Sequence, residues 1–379
     1  METVKFSDVV TRANTKEDRF NTDKIYYVGG EHIDSNEMKI EKRGVIAGST
    51  IGPMFYCGFK SGDILFVTRN PHLRKCGVVN FDGICSEKTF VLETQNRDIL
   101  LQEYLAIVMQ SDDFWNYCEE NKSGGVNYFL NWSTLAEYEF YLPSLAEQKV
   151  LAEKLWAAYE VKQSYLKMID ATQEMVKSQF IEMFGDPMVN DKQWSEYSSI
   201  SEITQIVLGS TPNSKELSYW DGAIRWITPA EMTDQSYYIF DTVRHITDEG
   251  RKAANLAVLP EGTVLFSTRA PIGKVAIVGK EMCCNQGFKN FICSEKLNKV
   301  FLYYTLKFKK DYLCSLGTGT TFKELSKRTV ESLMIAVPPI DLQNKFETIY
   351  NQADKSISEL RKSVDALDKV IKSLINENL

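Results

Sequence analysis

The sequence predicts an α+β chain: two β-rich α/β domains in a pseudo-two-fold arrangement, separated by a long antiparallel two-helix coiled coil. Three observations predict it. GDILFVTRNP at 62–71 and GTVLFSTRAP at 262–271 agree at six positions without a gap, so a structural device occurs twice. Each copy is followed by a segment of about forty residues with neither Gly nor Pro, rich in good helix formers. The repeat also extends well beyond the ten residues. Glu31 matches Glu231 at the same offset. Further on, Gly124 meets Gly319, Leu130 meets Leu325, and YLPSLAEQ (141–148) lies over AVPPIDLQ (336–343), aligning Pro143 with Pro338 and Gln148 with Gln343.

Residues 1–143 read as the first domain. Short runs such as DILFV and CGVVNF are β-branched and aromatic, and NP and GG dipeptides punctuate them as turns. Residues 144–186 read as the first spacer helix, which the GDP stop signal at 185–187 ends. Residues 187–338 repeat the strand-rich pattern with TVLFS and KVAIVG. Residues 339–379 form the second helix. There Phe346, Tyr350, Ala353, Ile357, Leu360, Val364, Leu367, Ile371 and Leu374 recur at alternating steps of four and three, an unbroken heptad seam. In the same phase the first helix carries Leu151, Leu155, Ala158, Ile169 and Val176, with polar interruptions at Lys162, Thr172 and Gln179. At 1.5 Å per residue each helix is ~60 Å long. A domain of about 150 residues has a radius of gyration near 15 Å. The chain therefore leaves the second domain close to where it entered, and the second helix must run back along the first.

Composition excludes several classes. No apolar run approaches the ~20 residues of a membrane span, and the polar start METVKFSDVVTRANTKED does not read as a secretory leader. Eight cysteines without C-x-x-C spacing, mostly among apolar neighbours, read as reduced, buried thiols of a cytoplasmic protein. Three histidines, none at ligand spacing, give no metal site. There is no [DN]-P-P-[YF] motif of amino-methyltransferases, no G-x-x-x-x-G-K-[ST] loop for ATP and no Pro-Asp pair. No catalytic set assembles. The net charge of −7 excludes a basic body, and only residues 187–338 have a positive balance.

With its order domain–helix–domain–helix, T-R-[NA]-P and Gly-rich elements in each half, and LPSLAEQ and VPPIDLQ before the long helices, the chain resembles the specificity subunit of type I restriction–modification systems. The resemblance covers essentially the whole chain. It implies that each domain is a target-recognition domain reading one half of a bipartite, asymmetric site in double-stranded DNA. It implies too that the helices set the gap and dock two methyltransferase subunits, with restriction subunits joining in a complete nuclease. S-adenosylmethionine, ATP and Mg2+ would then belong to the partners, with no cofactor bound by this chain. A two-module protein-binding adaptor on a coiled-coil spacer is the rival that composition leaves open.

DNA contact calls for Lys and Arg, exposed amides and side chains able to enter a groove. The T-R-x-P turns offer Arg69, Arg74, Lys75, Arg269 and Lys274, and the Gly-rich loops offer Lys122, Asn127, Thr320, Thr321 and Lys323. Internal roles compete with each. Arg69 could pair with Glu31 and Arg269 with Glu231, and the loops could be plain connections. KFKK (307–310) and SKR (326–328) read first as solvated surface. Trp156, Tyr159, Leu166, Phe180 and Phe184 leave the first helix more apolar than one seam needs, facing either a partner or the chain's own domains.

Overall fold

The computed structural model describes all residues except 1–2, 234–236, 270, 319–322 and 379. The chain divides into two compact units, Met1–Met168 with Leu360–Leu379, and Ile169–Glu359. Among the described residues no helix is long and apolar enough to cross a membrane.

Unit 1 holds a five-stranded sheet in the order Val10–Ala13, Thr89–Thr94, Ile64–Val67, Cys76–Val79, Lys39–Ile40, antiparallel except for the last pair. A second sheet runs Gly44–Val45, Tyr26–Val28, Gly83–Ser86, Phe55–Phe59, and Thr3–Lys5 pairs with Glu139–Tyr141. The strand Ile64–Val67 is buried along its whole length, as its unbroken apolar sequence requires. On one side of it Phe66 stacks on Trp115, with ring centroids 5.6 Å apart, and meets Phe114 edge-on. Both rings come from the helix Asp112–Glu120, whose first turn is capped by the Ser111 hydroxyl accepting from Phe114 N–H.

Unit 2 repeats this topology strand for strand in its main sheet. That five-stranded sheet runs Thr204–Leu208, Lys289–Cys293, Val264–Phe266, Val275–Val278, Tyr238–Ile239, again with only the last pair parallel. Arg244–Ile246, Trp220–Ile227 and Cys283–Cys284 form the second sheet, one strand fewer than in unit 1 among the described residues, and Tyr197–Ser199 pairs with Met334–Ala336. The repeat seen in the sequence is thus a repeat of sheet order and of strand direction.

The long helices are continuous over Leu145–Phe184 and Ile340–Asn378. A capping box starts the first: Glu147 accepts from Ser144 N–H at 2.9 Å, and Ser144 Oγ accepts from Glu147 N–H at 3.4 Å. Gly185, at φ 77°, ends it, a left-handed position that glycine adopts without steric cost. In unit 1 Lys162 of the first helix bonds Asp368 of the second at 2.9 Å. In unit 2 Phe180 of the first packs edge-on against Phe346 of the second, 5.3 Å away. Low numbers on one helix thus meet high numbers on the other, which is antiparallel pairing. Leu155, Ile169, Val176, Phe346, Tyr350, Val364 and Ile371 are buried, and Leu151, Ile357, Leu360, Leu367 and Leu374 are half-buried, as a two-helix seam with one open flank requires. Lys162 sits inside this seam because its charge is met twice, by Asp368 and by Glu37 at 3.3 Å. Glu37 also accepts from the Tyr159 hydroxyl at 2.8 Å and from Gln163.

Four of the five surplus apolar residues of the first helix, Trp156, Tyr159, Phe180 and Phe184, pack on the chain's own domains. Phe180 and Phe184 join Phe301 and Tyr304 in the core of unit 2. Trp156 donates its indole N–H to Glu103 O at 3.1 Å in unit 1. Tyr237 is likewise a core residue, its ring 3.9 Å from that of Tyr350.

Gln148 and Gln343 explain the residue shared by the two helix-leading motifs. Both are fully buried. Gln148 Oε1 accepts from Leu101 N–H at 2.9 Å, while its Nε2 donates to Ile99 O and Pro143 O, each at 2.9 Å. Gln343 repeats the pattern, accepting from Asn298 N–H at 2.8 Å and donating to Lys296 O at 3.2 Å and Pro338 O at 2.7 Å. One amide thereby satisfies three main-chain groups that burial would otherwise leave unpaired. Gln343→Leu should strand all three and lower unfolding stability by at least ~2 kcal/mol. Gln343→Glu keeps the acceptor but sets a buried carboxylate oxygen against two carbonyls, and should lose at least as much. Denaturant unfolding of the two variants checks this, and equal stability of Gln343→Leu and the parent would refute the clamp.

Candidate nucleic-acid interface

In each unit the T-R-x-P turn and the Gly-rich loop, far apart in sequence, are zipped together by main-chain hydrogen bonds. Thr68 leaves its strand with both N–H and Oγ1 bonded to Lys88 O at 2.9 Å, and its carbonyl accepts from Leu130 N–H at 2.9 Å. Arg69 then bridges Phe129, and Asn70 N–H bonds Tyr128 O at 2.9 Å. Unit 2 makes the corresponding bonds from Thr268, whose N–H and Oγ1 reach Gly287 O and whose carbonyl accepts from Leu325 N–H, while Arg269 bridges Glu324. The bridges Ser123↔Phe129 and Thr318↔Glu324 bring the two ends of each loop together. Gly124, at φ 101°, makes the tight turn in unit 1, and a Cβ there would come 2.6 Å from Asn127 O.

On this common frame the side chains differ. In unit 1 the Arg69 guanidinium lies 5.3 Å from the centre of the Phe129 ring, and Lys122 Nζ sits 4.4 Å from that of Tyr128. Lys122 also pairs with Glu119 at 2.5 Å. Val126 and Asn127 form the exposed tip. In unit 2 Arg269 pairs with Glu324 at 3.0 Å, and the same carboxylate faces the buried Lys289 at 3.6 Å. Burial holds the Lys289 ammonium below the usual lysine range, opposed by Glu324. Lys323 is exposed, and Thr320 and Thr321 lie outside the described residues.

Three side chains expected to face DNA are fastened inward instead. Lys75 Nζ donates to Gly30 O at 2.6 Å. Lys274 Nζ donates to Pro229 O at 2.9 Å and Met232 O at 2.5 Å. Each lysine ties its turn to the single-turn helix that carries Glu31 or Glu231. Arg74 bonds Asp112 at 2.6 Å, and this guanidinium, first among its partners, holds the Asp112 carboxyl below the ordinary carboxylate range. The glutamates at the shared offset serve other ends. Glu231 accepts from Thr228 N–H at 2.9 Å and from Val243 N–H at 2.7 Å, and Glu31 stands 3.7 Å from His32. Arg269 has Glu324 in place of Glu231 because equal offset reports the repeat, and the zipper brings Glu324 alongside.

The thiols add no reactive centre to these loops. Burial pushes Cys283 up to about 11 and Cys284 and Cys293 up to about 12. Cys57 falls instead, to about 7, through the hydrogen bond from Cys85, and it lies on the strand Phe55–Phe59 of the second sheet of unit 1.

The frame predicts a division of effects. Lys274→Met should cost about 1.5–3 kcal/mol of stability, because its ammonium satisfies two carbonyls, whereas Asn127→Ala, on an exposed tip, should stay within ~0.5 kcal/mol of the parent. Thermal unfolding measures both, and the reverse order would contradict these assignments.

The family model described as the type I restriction modification DNA specificity domain matches residues 192–367. The type I restriction enzyme MjaIX specificity subunit of Methanocaldococcus jannaschii is 36% identical over 182 residues, 47% of this chain but only 42% of that protein. The protein assigned as the MjaX specificity subunit of the same organism is 23% identical over 381 residues, 94% of this chain and 87% of its own length. A crystal structure of a type I restriction-modification system S subunit from M. genitalium shares the fold, with a TM-score of 0.62 at 13% identity, over 99% of this chain and 94% of that one.

Proposed function

We propose that this chain, which belongs to the type I restriction–modification specificity subunits, reads DNA for such a complex, each unit taking one half of a bipartite, asymmetric site. One observation carries the reading: the same hydrogen-bonded pair of loops occurs in both units, with different side chains on it. A constant frame with changed presentation is what two readers of different sequences require, and two different readers in one chain make the site non-palindromic. Arg69 and Lys122 in unit 1, with Arg269 and Lys323 in unit 2, are the candidates for phosphates. Asn127 at its tip, with Thr320 and Thr321 at the corresponding place in sequence, are the candidates for base edges.

The paired helices set the gap between the half-sites and give two methyltransferase subunits their docking surface, with restriction subunits as further partners. The chain itself supplies recognition. S-adenosylmethionine, ATP and Mg2+ serve chemistry on the partner subunits. The place of action is the cytoplasm, where the DNA is.

The test is co-expression with a cognate methyltransferase and single-molecule mapping of methylated adenines across the genome. A split, asymmetric motif that vanishes when this chain is omitted is the expected result. Replacing residues 187–338 by another such domain should change one half of the motif only. Methylation that is independent of this chain would overturn the reading.

A further inference from the structure

We infer that Cys57 and Cys85, opposed on neighbouring strands of the second sheet of unit 1, form a reversible disulfide by exchange with a small-molecule disulfide. This site stands apart from the DNA reading and does not depend on it. In the sequence both residues read, with the other cysteines, as buried and reduced thiols.

The strands Phe55–Phe59 and Gly83–Ser86 run antiparallel, and their register sets Cys57 directly opposite Cys85. Opposed Cα atoms in such a pair stand roughly 4.5–5.5 Å apart, within the roughly 4.4–6.8 Å that a disulfide spans. Opposed side chains also share a face of the sheet, and here the thiols meet, Cys85 Sγ donating to Cys57 Sγ. On the other edge of its strand Cys57 bridges Lys16. Cys57 is half-buried, whereas Cys85 is fully buried in the core that Val28, Phe59 and Val91 share. A reagent therefore reaches Cys57 first, and Cys85 stands behind it as the resolving thiol. The hydrogen bond from Cys85, then the Arg12 and Lys16 cations, hold the Cys57 thiol below its ordinary range, against burial and Glu87. Cys85 is held well above that range by the same hydrogen bond and by burial.

The Cys57 thiolate attacks one sulfur of the small disulfide, forming a mixed disulfide and releasing the other half as a thiolate. Cys85 then gives up its proton, attacks Cys57 Sγ and expels the second half. The protein thiols lose two electrons to the small disulfide, and their two protons end on the two thiols released. The same exchange run backwards undoes the bond, as a reducing compartment requires of a protein disulfide. Other cysteines lack this arrangement. Burial lifts Cys76, Cys118, Cys283, Cys284 and Cys293 above the ordinary thiol range. Cys283 and Cys284 are neighbours on one strand, so their side chains leave it on opposite faces. Along the matched strand pairs, unit 2 holds Asn285 where unit 1 holds Cys85. Shortly beyond Cys85, Lys88 supplies the carbonyl that holds Thr68 N–H and Oγ1 at 2.9 Å. The cross-link thus fixes the strand that leads into the frame of the unit 1 loops.

The experiment incubates the folded full chain with oxidised glutathione, blocks the remaining thiols with iodoacetamide, and maps linked peptides by mass spectrometry. The expected product has a Cys57–Cys85 disulfide and two titratable thiols fewer than the eight of the reduced chain. Dithiothreitol should restore both. Cys85→Ser should stop the exchange at a mixed disulfide between Cys57 and glutathione, and Cys57→Ser should leave Cys85 a free thiol. Circular dichroism melting of each variant establishes that folding is intact, and the parent map decides alone where a variant does not fold. A parent chain in which Cys57 keeps its glutathione without linking to Cys85 would overturn the site. So would one in which both thiols stay free while the denatured chain reacts.

Discussion

One buried amide in each unit fixes how a long helix leaves its sheet domain. Gln148 and Gln343 each join the start of a helix to the chain just before the domain's own helix, at Leu101 and at Asn298, and to the proline carbonyl that precedes the spacer. A side chain with three main-chain partners and no access to water cannot turn without stranding polar groups. The helix direction is therefore set by the domain rather than by the coiled coil alone. Everything that depends on helix direction inherits this constraint: the antiparallel seam, the meeting of Lys162 with Asp368 and Glu37, and the docking of Phe180 and Phe346 into unit 2.

A second constraint acts at the reading loops. Main-chain hydrogen bonds from Thr68 and Thr268 hold each T-R-x-P turn against the chain just beyond its Gly-rich loop, at Leu130 and Leu325. Lys75 and Lys274 brace the turns from within by bonding carbonyls. Such bracing leaves Val126 and Asn127 in unit 1 open to substitution without loss of the fold. The two units have used that latitude differently: a cation over an aromatic ring in unit 1, an ion-paired arginine beside a buried lysine in unit 2.

Much of the fold was legible in the sequence because its signals are local and periodic. The absence of Gly and Pro marks both helices, and heptad spacing marks the seam down to Ile371 and Leu374. What stayed hidden depends on pairings between distant parts of the chain. Gln148 and Gln343 could be aligned, but their partners are main-chain atoms that no side-chain pattern announces. Lys162 reads as a break in the heptad until Glu37, more than a hundred residues earlier, is seen to meet its charge. Lys75 and Lys274 have the composition of a phosphate contact and the geometry of a brace. Composition gives charge, whereas direction comes only with the backbone of the turn. The cleft with Asp112 in unit 1 escapes for a related reason: its residues come from separate elements that only folding brings together.

In the proposed function the two units read different half-sites and the paired helices set the gap between those half-sites. The most direct measurement inserts one heptad at matched positions in both helices and maps the methylated motif. Seven residues lengthen a helix by ~10 Å, about three base pairs of DNA at 3.4 Å each. The account predicts unchanged half-sites with a gap about three base pairs longer. An unchanged gap with methylation retained, or altered half-sites, would contradict it.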